Sequence, residues 1–218
     1  MTATRSLRRR AFTLLELVVV IGIIVLLASL VLGVASIVSA QSERRECEGA
    51  IALLDTAIAE YESASGRPIT YGQNMPAGAG QPAKSYDIQS TLADSDIVVA
   101  TLNLLDTSDS AKTILSKIGG NLLRPLSGST VGTLEFVDPW DRRVMVVYPG
   151  AKWVAGQGVK DVDGTIRTVA ENTYGICRNR KALIVSGGPD GQLGKLDGTD
   201  AQRAQANDNV YSYEPEKP

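Results

Sequence analysis

No histidine occurs in the 218 residues. That removes Ser-His and Cys-His nucleophiles, His-ligated zinc and the commonest general base together, and no nucleophile motif stands in their place, so the sequence predicts a protein that is not an enzyme. Three sets of residues remain whose types and spacing bear on chemistry. Glu16 is a lone carboxylate near the start of an otherwise apolar run, where an unpaired charge is costly. Asp190, Asp197, Asp200 and Asp208 share one stretch rich in Gly, Asn and Gln. A glycine-rich turn with carboxylates and amides can supply the six to eight oxygens that calcium takes, although neither an EF-hand nor a nonapeptide repeat is present. A solvated acidic loop is the alternative. Cys47 and Cys177 are the two cysteines; their spacing allows either one long-range disulfide or two unrelated buried thiols.

The element that must position Glu16 is the apolar stretch Leu17–Val38, preceded by Arg5, Arg8, Arg9 and Arg10 and by no acidic residue. At about 1.5 Å per residue its length matches the roughly 30 Å hydrocarbon core of a bilayer. The positive-inside rule then keeps the N-terminus cytoplasmic. The sequence thus predicts a single-pass inner-membrane protein with its C-terminal part in the periplasm. Two cleaved export signals compete with that reading. Val38-Ser39-Ala40 before Gln41 is an acceptable secretory cleavage site, and Arg9-Arg10-Ala11-Phe12-Thr13-Leu14 loosely fits a twin-arginine signal. The apolar run exceeds the usual length for both, and neither accounts for Glu16. A formal net charge of −2 without a basic patch predicts no nucleic-acid partner.

The segment Arg8–Leu30, and within it Phe12-Thr13-Leu14-Leu15-Glu16, closely resembles the N-terminal signal of type IV pilins and type II secretion pseudopilins. The resemblance implies cleavage by a prepilin peptidase between Ala11 and Phe12, methylation of the new Phe12 amine, and retention of the helix. It also implies that Glu16 sets assembly register by pairing with that amine in a neighbouring copy. Ala11 stands where the family usually has glycine, and Gly33 where many relatives carry proline. Asp138-Pro139-Trp140 through Tyr148-Pro149-Gly150 resembles a segment of the major pseudopilin, general secretion pathway protein G. Ser186-Gly187-Gly188-Pro189-Asp190-Gly191-Gln192 and Asn207-Asp208-Asn209-Val210 resemble its closing loop. For the four aspartates this implies structural calcium, carried over to Asp190 and Asp208 first and to Asp197 and Asp200 after them, since Leu193–Ala206 is longer than the family's segment. The implied partners are copies of the chain, minor pseudopilins, the prepilin peptidase, an inner-membrane assembly platform and the lipid bilayer. The implied role is a structural subunit of a type II secretion pseudopilus supporting export of folded proteins. A type IV pilin, or an exported soluble calcium-binding domain, is the alternative.

Beyond Val38 the apolar spacing of Ile51, Leu54, Ile58 and Tyr61 continues a helix that Gly66-Arg67-Pro68 ends. Residues 69–85 read as loop. Helices are predicted near Thr91–Leu105 and Ser110–Ile118, and strands at Leu134–Val137, Arg143–Tyr148, Ala182–Ser186 and Val210–Glu214. Trp140 and Trp153 read as core or turn aromatics. The expected fold is α+β: a long N-terminal transmembrane helix on a small antiparallel sheet. The expected organisation is a leader over 1–11, a transmembrane and filament-core helix over 12–38, the periplasmic half of that helix over 39–65, and a globular domain over 66–218.

Overall fold

The computed structural model describes residues 14–72, 85–126, 133–150 and 166–216, without side chains for 31–37. Ala11, Phe12 and Trp153 lie outside the described residues. Helix α1 (Leu14–Ser65) opens the chain. There follow β1 (Tyr71–Gly72), β2 (Ile88–Gln89), α2 (Asp94–Leu105), α3 (Asp109–Leu115), β3 (Leu123–Pro125), β4 (Leu134–Phe136) and β5 (Met145–Val147). Then come α4 (Val169–Tyr174), a 3-10 turn at Arg178–Arg180, β6 (Leu183–Ser186), α5 (Asp200–Ala204) and β7 (Val210–Tyr211). The chain divides into two units, Met1–Ser42 and Glu43–Pro218.

The arrangement is α+β, but among the described residues no helix is long and apolar enough to cross a membrane. This corrects the expected transmembrane helix over 12–38 and, with it, the expected single-pass placement in an inner membrane. A charge works against a span here: Glu16 sits in the first turn of α1, where a hydrocarbon core disfavours a carboxylate.

Within the second unit, the part of α1 beyond Ser42 buries Cys47, Ala50, Ile51, Leu54, Ala57 and Ile58, a stripe at three- and four-residue spacing. The stripe joins Ile97, Val98, Leu102 and Leu105 of α2 in one core. Strands β5, β6 and β7 form an antiparallel sheet in that order, with Val146 opposite Ile184 and Ser186 opposite Val210. Alternation along the strands splits the side chains between two cores. Val144, Val146, Ile184 and Val210 join α1 and α2, whereas Met145, Val147, Leu183 and Val185 pack with Ala170 and Cys177, flanked by Tyr211 and Tyr213. The sheet is therefore covered on both faces, which makes every residue of β5 and β6 buried.

Two small sheets complete the unit. Strands β3 and β4 pair antiparallel, with Leu123 opposite Phe136. Strands β1 and β2 pair parallel, within and just beyond the stretch read from sequence as loop. Arg67 donates to both carboxylate oxygens of Asp87, whose Oδ2 also accepts from the backbone and hydroxyl of Thr70, so β1 starts from a fixed point.

Candidate functional site: the junction of two turns with helix α1

Asp138 begins the turn that carries β4 towards β5, and it is 2% exposed. Its Oδ1 accepts from the backbone of Trp140 at 3.1 Å and of Arg142 at 2.9 Å, an aspartate side chain replacing backbone partners in a tight turn. Its Oδ2 accepts from Ser186 Oγ at 2.6 Å, and Ser186 Oγ in turn accepts from the backbone of Gly188 at 3.2 Å. The carboxylate thus has three donors in a site without water access, which offsets its burial. The Cys47 thiol of α1 bonds the same Ser186; burial pushes it up to about 11, so it stays a neutral thiol. Trp140 reaches α1 a turn earlier, donating from Nε1 to Glu43 Oε2 at 2.9 Å. The two distant segments that resemble the pseudopilin pattern therefore meet at one buried carboxylate, and both touch α1.

An ion-pair group flanks this turn. Glu135 joins Arg124 at 3.0 Å and Arg143 at 2.9 Å; Arg124 continues to Asp141, and Arg143 to Asp96 at the start of α2. Burial alone raises the Glu135 carboxyl, but the two guanidinium groups outweigh it and hold it below the ordinary range.

The aspartate loop follows Ser186. Gly188 has φ +63, and an added Cβ would stand 2.4 Å from the Asp208 carbonyl oxygen, so only glycine lets the two ends of the loop cross this closely. Asp190 and Asp208 are brought together: the Asp190 backbone donates to Asp208 Oδ2 at 3.3 Å, and Asp190 Oδ1 accepts from the Gln192 backbone at 2.7 Å. Asp197 and Asp200 do not join them. Asp200 begins α5, whose capping box is Thr199 with Gln202, and meets Arg203 at 3.5 Å. Among the described residues no group of three or more His, Cys, Asp or Glu side chains converges as a metal site. The expected four-aspartate set is not assembled among the described residues; the Asp190 backbone and the Asp208 carboxylate meet. Beside them in the chain, Asn209 is 5% exposed, donates to the Leu193 carbonyl and to Tyr211 Oη, and leaves its Oδ1 without a hydrogen bond.

Cys47 and Cys177 are both free and buried, and they belong to opposite cores of the sheet. The bridge that the sequence left open is not formed, because β5 and β6 lie between the two cores. Burial pushes the Cys177 thiol up to about 12.

Sequence reading passed over Glu171. It is 4% exposed and accepts from the backbones of Gly150, Thr168 and Cys177 and from the Thr168 hydroxyl. The signal was available as Thr168-x-x-Glu171, a capping box at the start of α4.

In the first unit, Glu16 lies in the first turn of α1 and is exposed. Around it the large apolar side chains are exposed on every side, from Leu14 at 80% to Val20 at 47%, and on through Leu30. No family model, curated protein or solved structure matches the chain.

Proposed function

We propose that this chain is a structural filament subunit of the pseudopilin kind, whose copies bundle through the apolar part of α1 and support export of folded proteins. The observation that carries this reading is the exposure of Leu14–Leu30 around the whole helix. Successive residues point about 100° apart, so Ile23, Ile24, Val25, Leu26 and Leu27 together face every direction. One flat partner covers a single stripe; a bundle of parallel copies covers all of it. Each Leu, Ile or Val so buried contributes about 1.5–3 kcal/mol. The match at Phe12-Thr13-Leu14-Leu15-Glu16 supports the pilin class, and the meeting of the Asp138 and Ser186 segments supports its secretion branch.

Glu16 supplies register. In a staggered bundle its carboxylate meets the Phe12 amine of a neighbour, a pair that forms only when the copies are staggered. Calcium, which the resemblance implies for the loop after Ser186, would be held by Asp190 and Asp208 with backbone oxygens, closing the loop ahead of β7.

Electron microscopy of the full chain produced with an assembly system tests the reading. Filaments whose subunits begin at Phe12 are expected, and Glu16→Ala should leave processing intact while removing them. A mature chain that begins at Gln41, or normal filaments from Glu16→Ala, would overturn it.

A further inference from the structure

Two segments far apart in the chain end on one turn of α1. The turn begins at Glu43, whose carboxylate accepts from Trp140 Nε1 at 2.9 Å, and ends at Cys47, whose thiol bonds Ser186. Between them Glu46 accepts from Asn121 Nδ2 at 2.9 Å. Trp140 and Ser186 do not act separately on this turn. Asp138 accepts from the Trp140 backbone through Oδ1 and from Ser186 Oγ through Oδ2, so one buried carboxylate fixes both. Cys47, Asp138 and Ser186 are each at most 2% exposed, so a member displaced from this cluster leaves its partner unpaired.

A further tie leads from this cluster to the aspartate loop. Ser186 Oγ also accepts from the Gly188 backbone at 3.2 Å, and Gly188 is the residue beside which the Asp208 carbonyl passes. Hydrogen bonds therefore connect the crossing of the loop, through Ser186 and Asp138, to both ends of the Glu43–Cys47 turn. Such a chain carries a change only if its end has a second arrangement. The loop supplies one, because an exposed bond from the Asp190 backbone to Asp208 Oδ2, 3.3 Å long, is what holds its ends. We propose that Asp138 and Ser186 are positioning residues that couple closure of the aspartate loop to the hold on the Glu43–Cys47 turn of α1. With the loop closed the turn is pinned; opening the loop at Gly188 releases it. The inference rests on the filament reading for its purpose, since α1 is there the helix through which copies bundle.

Cys47 is a built-in reporter of that turn, and Cys177, in the opposite core, reports global unfolding. Gly188→Ala opens the loop at its crossing, since the added Cβ meets the Asp208 carbonyl and the residue displaced is the donor to Ser186. Asp208→Ala opens it more gently, by removing only the exposed bond to the Asp190 backbone. In the full chain, either variant should let a thiol reagent modify Cys47 about tenfold faster than in the wild type, with Cys177 unchanged. Amide exchange over residues 43–47 should rise with it, and that of α2 should not. Gly194→Ala is the control. Its φ is +62 and its Cβ would stand 2.5 Å from the Gln202 carbonyl oxygen, yet it lies off the chain of bonds, so Cys47 should stay silent. Asp138→Asn should free Cys47 by itself, and adding Gly188→Ala to it should change little further. A silent Cys47 in both loop openings, or Cys47 and Cys177 labelled together in both, would overturn the coupling and leave the filament reading standing. Selective labelling of Cys47 in Gly194→Ala would overturn it as well. A wild-type chain that forms no filaments yet shows selective Cys47 labelling in the opened variants would overturn the filament reading alone.

Discussion

Ser186 Oγ donates to Asp138 Oδ2 at 2.6 Å, tying the end of β6 to the turn before β5 in a place with no access to water. Removing one member of a buried charge-assisted bond leaves the other poorly paired, at about 1–3 kcal/mol or more. Asp138→Ala should therefore lower unfolding stability by about 2–4 kcal/mol and Ser186→Ala by about 1–3 kcal/mol. Asp141→Asn, on the exposed side of the same turn, should stay within about 0.5 kcal/mol. Urea midpoints at constant m would check the order, and equal losses for Asp138→Ala and Asp141→Asn would refute it.

Acid should loosen the start of β1. The Arg67 guanidinium beside Asp87 holds that carboxyl well below its ordinary value of 3.8. A depressed carboxyl adds stability above the unfolded value and loses it as pH falls towards the folded one. Stability should thus fall as pH drops below about 4, and Asp87→Asn should flatten that part of the profile. Melting temperature followed from pH 6 down to pH 2 reads this directly; a variant with an unchanged slope would refute the assignment.

The thiols should be silent in the native state. Cys47 and Cys177 are buried and both are pushed up in pKa, so neither forms thiolate near neutral pH. A thiol reagent at pH 8 should modify neither cysteine in the folded chain and both in denaturant. A reductant should leave the melting temperature unchanged. A shift of several degrees on reduction would instead reveal a bridge.

Calcium should act through one end of the aspartate loop. A calcium-dependent rise in melting temperature is expected for the full chain, reversed by chelator, lost in Asp208→Asn and retained in Asp200→Asn. Insensitivity of the wild-type chain to both calcium and chelator would remove calcium from the account.

Helix α1 and its stop at Gly66 were legible in the sequence because hydrophobic periodicity and helix breakers act over a few residues. The same holds for α2, α3, β5 and β6, whose apolar spacing marks them. Strands β1 and β2 were not legible. They are short, parallel and separated in the chain, and the Arg67–Asp87 pair that fixes them is a contact between side chains 20 residues apart.

What the sequence by itself determined was composition and local pattern: the absence of histidine, the apolar helix with Glu16 in its first turn, and the aspartates in a glycine-rich stretch. Only the tertiary structure decided which of these come together. It covered the β5–β6–β7 sheet on both faces, and so put Cys47 and Cys177 in separate cores. It joined Asp190 to Asp208 while assigning Asp200 to the first turn of α5. It also brought Asp138 to Ser186 across 48 positions of chain. The reason is common to all three: which distant residues meet is chosen by packing, and packing is non-local.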